Sequence, residues 1–181
     1  MTGPESGRFS VPALPPELLD LPLEYLIADH DRHRAVCAYL RQVARDEKID
    51  GTSAREIARF LRGELKQHFE DERLLLYPTL RGRSADDLDF IRSLQEVEAY
   101  HTDSEAFIDD LVDRFGSLPA HDLSPISHEL SERLTAYVER EHQSLMFENA
   151  VIMVIAEVRL RKNDIEKLRV AMKARRGFPA Q

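Results

Sequence analysis

The chain has 181 residues and a formal net charge of −8, so it is long enough for one domain with a buried core. Its acidity disfavours binding to the phosphates of nucleic acid or to an anionic membrane surface. A single cysteine, Cys37, excludes an internal disulfide. The N-terminal segment lacks the pattern of a secretion signal, and the apolar run 150–156 is too short to cross a bilayer. We therefore expect a cytoplasmic protein.

The pattern of prolines, caps and apolar positions predicts an all-α chain, because only 7 glycines interrupt a sequence rich in Glu, Leu, Arg and Ala. The predicted architecture is an up-down-up-down four-helix bundle over residues 22–162. An N-terminal arm (1–21) precedes the bundle, and a short C-terminal helix with a tail (163–181) follows it. The arm has little periodicity and contains Pro4, Pro12, Pro15 and Pro16, so we expect it to be extended.

Capping residues and helix breakers predict where each helix begins and ends. The first helix is predicted from the cap Asp20 to Lys48, and the second from the capping box of Ser53 and Glu56 to Leu80. The third is predicted from the cap Ser84 to Gly116, and the fourth from Ser124–Pro125 to Lys162. Asn163–Asp164 opens the fifth helix. No segment is predicted to form a strand. The one β-like run, residues 151–155, is flanked by helical sequence and is interpreted as helix.

Each of the four long helices has an apolar face that becomes polar near its middle. The polar groups at these positions are His30, His68, Glu72, His101, Tyr137 and Glu141. The distance of each polar group from the end of its helix follows from a rise of about 1.5 Å per residue. These distances agree to within about one helical turn, so the polar side chains should meet in one layer. Burying an unpaired carboxylate costs several kcal/mol. Metal coordination would compensate that cost, and a purely hydrogen-bonded network is the alternative.

The donor types indicate which metal such a layer would hold. Histidine and carboxylate without a thiolate cluster suit iron or manganese better than structural zinc. His68 and Glu72 stand four residues apart, so both side chains lie on one helix face and can reach the same ion. Carboxylates can also bridge two ions in the core of a bundle. We therefore expect iron, with two ions per chain.

At these residues the sequence resembles the hemerythrin-like (HHE cation-binding) domain family. The second helix has His68-Phe-Glu-Asp-Glu72 followed by Leu76-Tyr77-Pro78, similar to the family's His-x-x-x-Glu and its apolar-aromatic-Pro ending. Asp29-His30 on the first helix and His101 on the third match as well, and the resemblance spans about residues 20 to 150. It implies that the iron ligands are His30, His68, Glu72, His101 and Glu141.

The fourth helix departs from the family pattern. Tyr137 stands where a histidine is expected, with Glu141 at the matching carboxylate. Either Tyr137 ligates or hydrogen-bonds beside the metal, which we favour, or His142 supplies the imidazole. Val97 also replaces a histidine of the third helix. Glu98 or Glu105 could fill that gap in the third helix. His33 could be a metal ligand or a neighbour of one, and Glu148 could border the site or be solvated.

The resemblance implies a non-haem iron protein that binds or reacts with dioxygen, peroxide or nitric oxide, or that senses or handles iron. Fewer histidines than in the oxygen carriers of the family disfavour simple reversible oxygen carriage. The alternative from another class is an interaction module with a degenerate, metal-free site. The apolar run 150–156 is expected to meet the N-terminal arm and the fifth helix, or to form a homodimer interface.

Overall fold

The structure is a computed structural model, and it describes residues 8–179 of the chain. The first part of the predicted arm, residues 1–7, and the last two residues, 180–181, lie outside the described residues. The rest of the arm includes a short 3-10 helix, Pro16–Asp20, which packs against the helix that follows it. The all-α class predicted from the sequence is confirmed.

Five helices make up most of the described chain. They are α1 (Pro22–Asp46), α2 (51–83), α3 (Leu88–Ser117), α4 (128–159) and α5 (Lys162–Arg175). Three π-helical turns interrupt α2 and α4, namely Leu61–Leu65, Glu72–Leu76 and Glu148–Ile152. The α-helical parts are Gly51–Phe60, Lys66–Asp71 and Tyr77–Arg83 in α2, and His128–Phe147 and Met153–Arg159 in α4.

The first two helices begin differently from the prediction. Pro22 opens α1 as expected, but Asp20 does not cap it; the Asp20 carboxylate instead pairs with Lys173 of α5 at 2.5 Å. The capping box at Ser53 is also wrong, because the side chain of Asp50 caps α2 by accepting a hydrogen bond from the Ser53 N–H at 2.9 Å. Aspartate one turn upstream therefore competes successfully with serine for the free N–H groups.

Helices α3 and α4 begin at later residues than predicted, because a different polar residue caps each of them. Asp87, not Ser84, caps α3 by accepting from the Phe90 N–H at 3.1 Å. Ser127, not Ser124, caps α4, because residues 123–125 are extended. The boundary between α4 and α5 falls where it was expected to within a few residues, and the Asp164 carboxylate accepts from the Arg161 N–H at 3.0 Å.

Two three-residue strands, β1 (Lys48–Asp50) and β2 (Leu123–Pro125), form an antiparallel pair, with Ile49 opposite Ser124. The prediction of no strand is therefore wrong, since strands this short carry no readable periodicity. The pair ties the α1–α2 loop to the α3–α4 loop. Gly51 follows β1, and a Cβ atom there would lie 1.8 Å from the carbonyl oxygen of Pro119, so the close approach requires glycine.

The apolar core consists of two clusters separated by buried polar residues. One cluster lies towards β1 and β2 and includes Leu40, Ile57, Leu61, Phe115 and Leu134. The other lies at the opposite ends of the helices and includes Leu26, Leu76, Leu94, Ile152 and Met172. Helix α1 packs on α4 and α2 on α3, while α5 crosses both α1 and α2. Within residues 8–179, no helix is both long enough and apolar enough to span a membrane.

Candidate metal centre

Four buried side chains between the two apolar clusters converge on one point. They are His30 of α1, His68 and Glu72 of α2, and Glu148 of α4, and each offers one donor atom such that all four atoms lie within 4.8 Å of one another. Every one of these residues is at most 2% exposed. Three of the four were predicted from the sequence, and Glu148 was left open there.

The two carboxylates each face two sides of the cluster. Oxygen Oε1 of Glu72 lies 3.4 Å from Nε2 of both His30 and His68, while Oε2 lies 3.7 Å from Nδ1 of His101. Glu148 repeats this arrangement, with Oε2 at 3.1 Å from His30 Nε2 and Oε1 at 3.2 Å from His101 Nε2. One side therefore has two imidazoles and the other has one, and both carboxylates are shared between the two sides.

Both shared carboxylates stand at the first residue of a π-helical turn. Glu72 opens Glu72–Leu76 in α2, and Glu148 opens Glu148–Ile152 in α4. Such turns are rare in proteins and occur frequently at functional sites. The wider turn changes which of the residues that follow each carboxylate face the core.

A second set of groups orients the ligand side chains. The Asp29 carboxylate lies 3.3 Å from Nδ1 of His68 and accepts a hydrogen bond from Arg32 at 2.8 Å. The side-chain amide of Asn149 lies 2.5 Å from Nδ1 of His30. Partners of this kind fix the orientation of a metal-binding imidazole and leave its other nitrogen facing the metal.

Glu148 has its own orienting partner. The Ser144 hydroxyl, one turn earlier on α4, donates to Oε1 of Glu148 at 2.6 Å. Ser144 is itself buried. The carboxylate is therefore held from its own helix and does not depend only on the imidazoles that face it.

The charges in the cluster balance one another. Burial alone would lower the pKa of His30, but its contacts with Glu148 and Glu72 outweigh burial and raise the pKa to about 9. Burial alone would raise the pKa of Glu72, but His68 in particular opposes this and lowers the pKa to about 2. Without a metal, protonated imidazoles therefore pair with the carboxylates, and a cation would replace those protons.

The donor atoms fit a metal ion. Nε2 of His30 and both carboxylate oxygens of Glu72 are buried, and none makes a well-directed hydrogen bond, although each lies near an oppositely charged group. The buried hydroxyl of Tyr77 also lacks such a bond. Imidazole nitrogens and carboxylate oxygens are the donors that iron and manganese prefer over structural zinc. A cation among them would satisfy donors that the protein leaves without directed partners.

Two of the predicted ligands lie in a neighbouring group. Tyr137 and Glu141 of α4 face His33 of α1, whose Nε2 lies 3.2 Å from the Tyr137 hydroxyl and 3.6 Å from Oε2 of Glu141. Tyr100 of α3 completes the group by donating its hydroxyl hydrogen bond to Oε1 of Glu141 at 2.7 Å. Ligation of a metal by Tyr137 and Glu141 stays a prediction. The structure places His101 against Glu148 and not against Glu141.

The alternatives that the sequence left open are now located. His142 is exposed on α4 and points away from the buried layer. Glu98 pairs with Arg81 at 3.0 Å, and the half-exposed Glu105 pairs with Arg73 at 3.3 Å. Neither glutamate joins the cluster. Glu148 was not assigned to the site from the sequence. Its spacing of seven residues from Glu141 could have indicated it, because that spacing returns to the same face of a helix.

Comparison with known proteins agrees with this geometry. The model of the hemerythrin HHE cation-binding domain matches residues 21–146, and the chain belongs to this family. The matched region contains His30, His68, Glu72 and His101 and ends just before Glu148. No curated protein and no solved structure matches the chain.

Proposed function

We propose that this chain is a non-haem iron protein that holds two iron ions between Glu72 and Glu148. The observation that carries the proposal is the orientation of these two carboxylates, each of which faces imidazoles on both of its oxygens. One ion would lie beside His30 and His68, and the other beside His101. The family is described as cation-binding, and a cluster of histidine and glutamate side chains suits iron.

When bound, the ions would supply redox and Lewis-acid chemistry. The protein contributes the donors, their orientation and the exclusion of water, since the cluster residues are almost fully buried. The side with His101 has only one imidazole, so fewer protein donors compete there with an added small molecule. We propose that this molecule is dioxygen, peroxide or nitric oxide, because burial leaves no room for a large substrate. Sensing or handling of iron is the related role that the same site would serve.

The proposal includes the arrangement and location expected from the sequence. We propose that α1 to α4 form an up-down-up-down bundle around the cluster, with α5 packed across one side. Contacts of α1 with α4 and of α2 with α3 support this arrangement. We also propose a cytoplasmic location, on the basis of the single buried cysteine.

The test of the site compares Glu148→Gln with Glu141→Gln after anaerobic reconstitution with ferrous iron. We expect Glu148→Gln to lose much of its iron, because the amide cannot balance the charge of two cations. Glu141→Gln should keep the iron content of the unmodified protein. The exposed Glu105→Gln is the matched control. If Glu141→Gln lost iron and Glu148→Gln kept its full iron content, Glu148 would not be a ligand. That result would support the ligand set predicted from the sequence, which contains Glu141.

One observation favours the second candidate, a metal-free interaction module. The imidazoles and carboxylates of the cluster pair with one another, as His30 and Glu148 do at 3.1 Å, and such a network can be stable without a cation. The two functions differ in their response to a chelator. A purified protein that contains no iron, and whose stability neither iron nor chelator changes, would favour the module.

A further inference from the structure

A second buried group of polar side chains begins one helical turn from the candidate metal centre on α1, and on α4 it lies about two to three turns from Glu148. This group, the tyrosine cluster, consists of His33, Tyr100, Tyr137 and Glu141, and none of the four is more than 9% exposed. His33 follows His30 by three residues on α1, and Tyr100 directly precedes His101 on α3. The proposed metal site needs none of these four residues as ligands, so their function is unassigned.

Each tyrosine hydroxyl in the cluster lies beside a group that can accept its proton. The Tyr137 hydroxyl is 3.2 Å from Nε2 of His33, and the Tyr100 hydroxyl donates to Glu141 at 2.7 Å. The two pairs are connected, because Oε2 of Glu141 lies 3.6 Å from the same His33 nitrogen. A phenol paired with an acceptor can lose an electron and a proton in one step, which avoids a charged phenol radical in a buried site. Burial lowers the pKa of His33 to about 3, so its imidazole is neutral and Nε2 can receive the proton that the oxidised phenol releases.

The tyrosine cluster also extends towards the protein surface. The Arg140 guanidinium lies over the Tyr100 ring at 4.4 Å from its centroid. Tyr100 lines two cavities between α3 and α4, of about 280 and 250 Å³, and Tyr137 lines the second of them. The cluster therefore reaches from the neighbourhood of the metal ligands to openings in the surface.

We propose that Tyr137 is a redox-active tyrosine that exchanges single electrons with the iron centre, with His33 as its proton acceptor. This inference rests on the proposed iron site. In the forward step the Tyr137 O–H bond breaks. The proton forms an N–H bond at Nε2 of His33 and a neutral phenoxyl radical remains, while the electron would go to the iron centre once hydrogen peroxide had oxidised it. A one-electron reductant at the surface beside Tyr100 returns the electron, and the proton moves back to Tyr137.

The first experiment is freeze-quench electron paramagnetic resonance of the iron-loaded protein mixed with hydrogen peroxide. We expect an organic radical with the hyperfine pattern of tyrosine, and we expect Tyr137→Phe to abolish it. Tyr39→Phe is the matched control, because Tyr39 stacks on Phe9 at 4.5 Å, outside both clusters, and its loss should leave the radical unchanged. An unchanged radical in Tyr137→Phe would overturn the assignment.

The second experiment needs no iron and separates this inference from the proposed function. A photo-oxidant is used to generate the Tyr137 radical in the metal-free protein, and its yield is followed by transient absorption. We expect His33→Phe to lower the yield strongly and to remove its deuterium solvent isotope effect. Normal iron loading with no radical in either experiment would overturn the redox role and leave the iron site standing. A protein that binds no iron would overturn both the iron site and the electron exchange with it, and a photochemical radical would then leave only the pairing of Tyr137 with His33.

A third outcome concerns direct ligation. If Tyr137 binds ferric iron, the iron-loaded protein will show a visible phenolate-to-iron charge-transfer band that Tyr137→Phe removes. That result would overturn the redox pairing with His33 and would establish the ligand role predicted from the sequence. Absence of the band, with iron fully loaded, is the result expected here.

Discussion

Glu72 and Glu148 lie in the interior of the protein, where an isolated carboxylate would cost several kcal/mol. Three imidazoles face them and provide the compensating charge when they are protonated. A metal ion can take over that task only if the imidazole nitrogens first lose their protons. The affinity for a metal must therefore depend on pH.

We predict that binding of ferrous iron at pH 7 releases protons. Contacts with Glu148 and Glu72 overcome the opposing effect of burial and raise the pKa of His30 to about 9, so His30 is protonated before iron binds. Apparent affinity should rise as the pH approaches that value. Calorimetry under anaerobic conditions in buffers of different ionisation enthalpy measures the proton count. An exchange of no protons would show that the imidazoles are not ligands.

The same pKa shift predicts the pH dependence of the metal-free protein. Because the pKa of His30 is higher in the folded protein than its ordinary value of 6.5, the pairing contributes stability that is full below pH 6.5. That contribution is lost as the pH rises through about 9. Iron reverses this trend, because it binds the deprotonated form.

Most of the site at the residue scale could be predicted from the sequence. The alternation of apolar residues with His30, His68, Glu72 and His101 on three helix faces needs only a regular helical period. Glu148 was left open because the polar layer of the fourth helix was placed at Glu141, two turns earlier on the same helix face. The π-helical turn that it opens depends on packing between helices, which the local sequence does not encode.

At the scale of elements, α5 holds α2 in position beside the candidate metal centre. Asp71 directly precedes the candidate ligand Glu72 and is completely buried. It pairs with Arg175, and with Arg176 at 2.7 Å, both at the end of α5. Arg176 also donates to the Tyr25 hydroxyl of α1 at 3.1 Å. The C-terminal helix therefore holds together the two helices that supply His30, His68 and Glu72.

We predict that Asp71→Asn destabilises the protein by about 3 kcal/mol, because it leaves two arginines without their buried partner. It should also speed the loss of iron to a chelator, since α2 is released beside Glu72. Urea unfolding and the rate of iron transfer measure the two effects. The control is Asp113→Asn, whose exposed carboxylate lies 4.0 Å from Arg62 and should contribute at most about 1 kcal/mol. Equal effects of the two substitutions would contradict the role of α5.

The number and order of the helices could be predicted from periodicity and breakers, whereas their first residues could not. Asp50, Asp87 and Ser127 took the capping positions that Ser53, Ser84 and Ser124 were expected to hold. Several polar residues near each helix start are chemically able to cap. The choice among them depends on where the loops are fixed, and here β1 and β2 fix two of the loops.

At the scale of the whole molecule, α4 has an apolar surface that the described chain leaves uncovered. Ile152, Met153 and Ala156 are buried in the core, but Met146, Val154 and Val158 are 56%, 50% and 80% exposed. The exposed residues recur at helical spacing, so they form one stripe along α4. A stripe of this kind is typical of an interaction surface.

The buried part of the apolar run 150–156 packs with Leu19 of the arm and with Met172 of α5, which is one of the two arrangements expected from the sequence. We predict that the exposed stripe forms the other, a homodimer interface. Sedimentation equilibrium should show a dimer, and Val158→Glu should shift it to monomer, because the interface would bury an unpaired charge. Leu88→Glu is the control, since Leu88 is similarly exposed but lies at the start of α3. A protein that is monomeric at every concentration would contradict the prediction.

The most direct test of the iron site is a metal count of the purified protein, taken with absorption spectra in air and after reduction. We predict about two irons per chain, held by the buried imidazoles and carboxylates of the bundle core. We also predict a marked loss of iron and of stability in His68→Ala and in Glu72→Ala, because the remaining buried ligands lose their partner. A metal-free protein, with thermal unfolding that neither iron nor a chelator changes, would contradict it.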